Sequence, residues 1–202
     1  MKVIAFDCDG VLFDTADSNR AYYNALRLQL NMPVLTDEQF AYAHMNTVAD
    51  TLAYLFPGQE LLAKAKALKQ KTSYNPFVKA MKMEPGLMPL LKKLRPVYKT
   101  AIATNRSDSM PTLLKEHNIG PFFDCIVSAN DVARPKPHPD QLTKLLDFFG
   151  IDAAQMLYVG DSIVDQQAAD AAGVALVAYD NPSLTAQHHI TSLQEIEDIL
   201  QL

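Results

Sequence analysis

Val3-Ile4-Ala5-Phe6-Asp7-Cys8-Asp9-Gly10-Val11-Leu12 is the stretch on which the reading of this chain turns. A short apolar run leads straight into two carboxylates and a glycine. Such an unbroken run reads as a strand buried on both faces, as in a parallel sheet. At strand spacing Asp7 and Asp9 project from one face, their α-carbons about 6.6 Å apart. Two like charges that close are costly unless a cation sits between them or one holds a proton. Gly10 lets the backbone turn sharply and lets a ligand approach. An EF-hand loop does not fit, because with Gly10 at its sixth position Ala5 and Ala16 fall where Asp and Glu are required.

Working outward, the composition sets the class. Of 202 residues, 49% are apolar and 20% charged, as in an ordinary globular protein. A net charge of −5 argues against binding a nucleic-acid polymer, which needs a basic excess. No apolar run approaches membrane length, and the first strand starts too early to leave room for a signal peptide, so a cytoplasmic location is expected. Cys8 and Cys125 fall in or beside expected buried strands and read as reduced structural thiols.

Downstream of Leu12 the pattern is helical for about seventy residues by its 3.6-residue periodicity. Helices are expected at 17–31, at 36–45 behind the capping-box sequence Thr36-Asp37-Glu38-Gln39, at 48–56 and at 59–72, with no strand between Asp14 and Met83. After Glu84-Pro85-Gly86 helices and strands alternate. Strands are expected at 98–103, 123–127, 156–159 and 174–178, and helices at 87–94, 109–118, 139–149, 165–172 and from Ser192 onward. This alternation implies right-handed crossovers and an α/β fold with a doubly wound parallel sheet. The domain reading is a discontinuous core, residues 1–14 and 84–202, with a helical cap inserted at 15–83.

Ligands of open α/β sheets bind at the carboxyl ends of the strands. Those ends carry Asp7 and Asp9, then Thr104-Asn105, then Lys136 in Arg134-Pro135-Lys136-Pro137, then Gly160-Asp161-Ser162-Ile163-Val164-Asp165. Carboxylates, a hydroxyl and a lysine on one edge supply what metal-assisted phosphoryl transfer needs: a nucleophile, donors for phosphate oxygens, a fixed cation and a divalent metal. Arg20 on the first cap helix and Arg106 beside Asn105 are candidate substrate contacts. The lysines at 64, 66, 69, 71, 79 and 82 read as a solvated basic face, with weak steering of anions as the alternative.

In order and spacing these stretches resemble the four motifs of the haloacid dehalogenase superfamily, in its subfamily with a helical cap and closest to the phosphoglycolate phosphatase-like members. The resemblance implies a phosphoric monoester hydrolase whose nucleophile, Asp7, forms an aspartyl-phosphate, with Asp9 as general acid and base. It implies that Gly10, Thr104 and Asn105 hold the phosphate and that Lys136 neutralises the charge between nucleophile and phosphate. Mg²⁺ would bind Asp7, Asp161 and the Asp9 carbonyl, with Asp165 either supporting the metal or orienting Lys136. Dehalogenases of the family lack the second aspartate of the first motif, so the presence of Asp9 favours a phosphatase or phosphomutase. A receiver-like phospho-acceptor module is the alternative from another class, but it needs neither Asp9 nor the long insertion. The implied partner is a small phosphorylated metabolite, acted on by a monomer or weak homodimer.

Overall fold

The computed structural model describes residues 1–202. From the N-terminus, β1 (Val3–Phe6) is followed by the two-residue β2 (Phe13–Asp14). Five helices come next: α1 (Ala16–Gln29), α2 (Asp37–Met45), α3 (Val48–Leu55), α4 (Gln59–Lys71) and α5 (Asn75–Ala80). The two-residue β3 (Lys82–Met83) closes this block. The alternating part then runs α6 (Leu87–Leu94), β4 (Lys99–Thr104), α7 (Met110–Glu116), β5 (Cys125–Ser128) and α8 (Asp140–Phe149). It ends with β6 (Met156–Gly160), α9 (Ile163–Ala172), β7 (Ala175–Tyr179), β8 (His188–Ile190) and α10 (Glu195–Leu200).

Six strands form one sheet in the order β5-β4-β1-β6-β7-β8, every neighbouring pair parallel. Side chains alternate across it, as the strand period demands. Ile4, Phe6, Ile102, Leu157 and Val159 face one side, where Leu87, Leu90, Leu91 and Leu94 of α6 cover them together with α7 and α10. Val3, Ala5, Ala101, Ala103 and Tyr158 face the other, under α8 and α9. Small residues at 5, 101 and 103 leave room there for the large Tyr158 ring. β1 lies between β4 and β6, with Phe6 opposite both Ile102 and Val159. The chain fills one flank with β4 and β5, then crosses back to build β6 on the other. That reversal places the binding crevice at the carboxyl ends of β1, β4 and β6.

Helices α1 to α5 pack around an apolar cluster of their own, centred on Tyr22, Tyr23, Leu26, Leu52, Leu55 and Phe56. Thr36 and Gln39 form the reciprocal capping box at the start of α2. The block leaves and re-enters the sheet domain at one place. There β2 and β3 pair antiparallel, Phe13 opposite Met83, and Glu84 N–H donates to Leu12 O at 3.0 Å.

Four elements differ from the sequence expectation, the two-residue β2 among them. β3 falls within the stretch expected to hold no strand, because two residues are too few to show a period and their pairing is set by Phe13–Asp14. β8 was hidden in His188-His189-Ile190, an edge strand with only one buried residue. α5 starts at Asn75-Pro76, a proline placed where its missing N–H is harmless, beyond the expected end of α4. Cys8 is buried as expected, whereas Cys125, on the edge strand β5, is only half-buried; both are free thiols. No helix is long and apolar enough to cross a membrane.

Leu26 is fully buried in the helical block's own cluster. Leu26→Ala should cost about 2–5 kcal/mol. In hydrogen exchange the lost protection should concentrate in residues 16–80; equal loosening of β1, β4 and β6 would mean that the two clusters form one cooperative unit.

Candidate active site

Asp7 follows the last residue of β1, and its N–H donates to Val159 O at 2.8 Å, fixing it against β6. Its carboxylate is nearly buried. Lys136 Nζ stands 2.8 Å from Asp7 Oδ1, outside hydrogen-bonding alignment, so that oxygen is left without a hydrogen bond. The ammonium itself is well held. It donates to Asp165 Oδ1 at 2.6 Å, to the Tyr158 hydroxyl at 2.9 Å and to Ala103 O at 3.1 Å. Gln141 fixes the loop that carries it, accepting from Lys136 N–H at 3.0 Å and donating to Thr104 O at 2.6 Å.

Both oxygens of Asp165 are committed. Oδ1 accepts from Lys136 and from Tyr158, and Oδ2 accepts from the N–H and hydroxyl of Ser162. Ser162 and Asp165 are also the capping box of α9, so the helix start and the site share these bonds. Gly160 belongs to the same corner: a β-carbon there would lie 2.5 Å from Cβ of Asp165. The Asp161 carboxylate, in contrast, faces the backbone of Gly10. A β-carbon on Gly10, whose φ is +82°, would lie 2.1 Å from Asp161 Oδ2. Glycine is required there for both space and conformation.

Asp9 is held differently. Its carboxylate accepts from Arg106 Nε at 3.0 Å, from a second guanidinium nitrogen, and from Asn19 Nδ2 at 3.2 Å. Asn19, on α1, accepts in turn from the Tyr74 hydroxyl, so the helical block reaches the sheet domain through Asp9. Arg106 is buried, and its third nitrogen donates to Ser109 Oγ at 2.9 Å.

These surroundings set the charges. Burial pushes the Asp7 carboxyl up to about 7, with Lys136 opposing the rise and Asp165 adding to it. Asp161 is raised well above the ordinary carboxylate range by burial and by Asp165 and Asp7. Burial alone would raise Asp9 as well, but the Arg106 guanidinium outweighs it and holds Asp9 below the ordinary range. Burial works against a charged Lys136, yet Asp165 and Asp7 raise its pKa.

Carboxylate oxygens of Asp7, Asp161 and Asp165 lie within 4.8 Å of one another. An oxygen without a hydrogen bond on Asp7, a carboxylate of Asp161 without a side-chain partner and mutually raised pKa values fit a hard divalent cation with oxygen ligands. Beside them the N–H groups of Cys8, Asp9 and Asn105 make no hydrogen bond within the protein, leaving backbone donors for an anion. All this opens into a cavity of about 380 Å³ walled by the sheet ends and by α1, α2 and α4.

Several known proteins resemble this chain. The family model of haloacid dehalogenase-like hydrolases matches residues 4–179. The chain belongs to that family. Among curated relatives, it is 33% identical over 186 residues to a phosphoglycolate phosphatase of Aliivibrio fischeri, covering 86% of this chain and 81% of that one. It is 29% identical to the phosphoglycolate phosphatase of Escherichia coli, covering 86% and 79%. Among solved structures, a subfamily IA hydrolase of the superfamily from Geobacter sulfurreducens superposes with a TM-score of 0.81 at 35% identity, covering 99% of this chain and 96% of that one. A β-phosphoglucomutase from Clostridium difficile shares the fold, with a TM-score of 0.84 at 18% identity over 100% and 96% of the two chains.

Within this member of the family, Asp7, Asp9, Gly10, Thr104, Asn105, Arg106, Lys136, Asp161 and Asp165 all converge on one sheet edge. Arg20 does not. It pairs with Asp37 at 2.9 Å, lies 4.2 Å over the Phe40 ring, and is absent from the cavity wall. Its position on α1 is set by the helix period, which the expectation of a substrate contact did not resolve. Asn105 is present, but its amide nitrogen is spent on Lys136 O at 2.9 Å and Met45 O at 3.1 Å. Asn19, Tyr74, Tyr158 and Gln141 went unnoticed in the sequence. Only Tyr158 left a signal there, a phenol inside an otherwise aliphatic strand.

The raised pKa of Asp7 gives a pH test. Between about 4 and about 7 the native carboxyl holds a proton that the unfolded chain has released, so stability falls as pH rises through that window. In metal-free protein Asp7→Asn should therefore raise the thermal midpoint at pH 8 but leave it nearly unchanged at pH 4. An equal shift at both values would show that burial of charge at Asp7 is not the destabilising term.

Proposed function

We propose that the chain is a Mg²⁺-dependent phosphatase that hydrolyses a small phosphomonoester through an aspartyl-phosphate on Asp7. The observation that carries this reading is the pairing of one buried carboxylate beside a fixed ammonium, Asp7 with Lys136, with a second carboxylate two residues on, Asp9, facing the same cavity. The names of the relatives support the reaction class.

Asp7 attacks phosphorus; the bond from phosphorus to the ester oxygen breaks, and its electron pair leaves with the alcohol oxygen, which takes a proton from Asp9. Water then attacks the phosphorus while Asp9 takes one of its protons, the bond to Asp7 breaks, and inorganic phosphate is released. Thr104 Oγ1 and the N–H groups of Cys8, Asp9 and Asn105 would receive the phosphoryl oxygens, with Lys136 balancing the charge. Asp7, Asp161 and the Asp9 carbonyl would hold Mg²⁺, whose role is to neutralise phosphate charge as the transferred group develops it. Since the oxygens of Asp165 are already committed, its role is to orient Lys136. As arranged here, the Asp9–Arg106 ion pair favours the ionised carboxylate, the form needed for the water step. A phosphoester entering beside Arg106 competes for the guanidinium and so restores the proton-donating form. The helical block, residues 15–83, serves as the cap that closes over this chemistry.

Phosphate release should require Mg²⁺ and vanish in EDTA. Asp9→Asn keeps the carbonyl but not the proton transfer, and should lower kcat by about 10²–10⁴-fold. With an activated ester it should also accumulate a covalent phosphoenzyme, seen by intact mass spectrometry, whereas Asp7→Asn should show neither adduct nor turnover. Wild-type turnover by Asp9→Asn would refute the assignment.

A further inference from the structure

The cavity as a whole is asymmetric in its chemistry. Four aspartates line it, Asp7, Asp9, Asp108 and Asp161, against one lysine and one arginine, Lys69 and Arg106. Both cations are already paired with a carboxylate. Arg106 is bound by Asp9, and Lys69 Nζ, on α4, donates to Asp108 Oδ2 at 2.7 Å. Asn130 secures Asp108 from the far side at 2.9 Å. Lys136, behind Asp7, is claimed by Asp7 and Asp165. His44 also lines the wall, its Nδ1 3.3 Å from Asn19 Nδ2. After Mg²⁺ and a phosphate dianion are placed, no unpaired lysine or arginine is left over for a second anionic group.

What is left over on the wall is neutral. The side chains of Gln70, Asn75, Ser107 and Thr112 line the cavity and make no hydrogen bond within the protein. Tyr22 and Tyr74, set edge to face with centroids 4.6 Å apart, offer ring surface beside them. The cavity, about 380 Å³, runs from the sheet edge out to these side chains.

Resting on the phosphatase reading, we propose that the substrate is the phosphomonoester of an uncharged alcohol bearing several hydroxyls, a sugar or polyol, and that a carboxylate-bearing leaving group such as that of phosphoglycolate is disfavoured. Hydroxyls both donate and accept, so they satisfy amides and hydroxyls alike. A carboxylate on the same wall would meet Asp108 and Asp9 with no unpaired lysine or arginine to receive it.

The test is steady-state phosphate release, with Mg²⁺, from p-nitrophenyl phosphate, 2-phosphoglycolate, 2-hydroxyethyl phosphate and a panel of pentose and hexose phosphates. At least one sugar phosphate should exceed phosphoglycolate in kcat/KM by about tenfold or more. Asp108→Asn, which releases Lys69, should move the ratio of phosphoglycolate to that sugar phosphate several-fold toward the acid. Turnover of p-nitrophenyl phosphate with phosphoglycolate ranking first would overturn the specificity proposal alone, and so would an Asp108→Asn ratio identical to wild type. Failure to hydrolyse any ester, p-nitrophenyl phosphate included, would instead remove the phosphatase reading beneath it.

Discussion

A buried ammonium is the constraint around which this site is built. Lys136 is almost wholly shielded from water, and a charge so placed is tolerated only with close partners of opposite sign and satisfied donors. Asp165, Asp7, the Tyr158 hydroxyl and Ala103 O supply them, from β6, β1, β4 and the first turn of α9. Each partner comes from a different element, so the ion cluster and the relative placement of three central strands specify one another. Removing Lys136 would leave Asp165 as a buried charge without its counter-ion.

The same corner explains why the two carboxylates after β1 are not equivalent. Asp7 and Asp9 are two residues apart and both nearly enclosed, yet their surroundings drive them in opposite directions. Asp7 has its neighbour's ammonium close but shared, and a third carboxylate nearby. Asp9 has a guanidinium largely to itself. Pairs of carboxyls whose environments separate their proton affinities are what acid–base chemistry near neutrality requires.

Much of this was legible in the chain. An apolar run ending in Asp7 and Asp9, and polar residues after each later strand, are local patterns, and the sheet brings them together because parallel topology puts all carboxyl ends on one edge. The capping box at Thr36 and Gln39 was legible for the same reason, since its partners lie three residues apart. Pairings across long stretches were not. That Arg106 would turn to Asp9, Tyr74 to Asn19 and Lys69 to Asp108 depends on how the helical block sits over the sheet. Arg20 shows the converse: a basic residue on the right helix, but on the flank that meets Asp37 and Phe40. β8 escaped because one inward residue among two histidines carries no alternation.

The ladder between β2 and β3 has a historical consequence. An inserted block whose entry and exit are hydrogen-bonded side by side presents the sheet with the same short boundary whatever lies between. Changes of length inside the block, away from Asn19, Met45 and Lys69, leave that boundary as it is. Descent with modification therefore meets one short joint and a few contacts, through Asn19, Met45 and Lys69, in a block otherwise open to change.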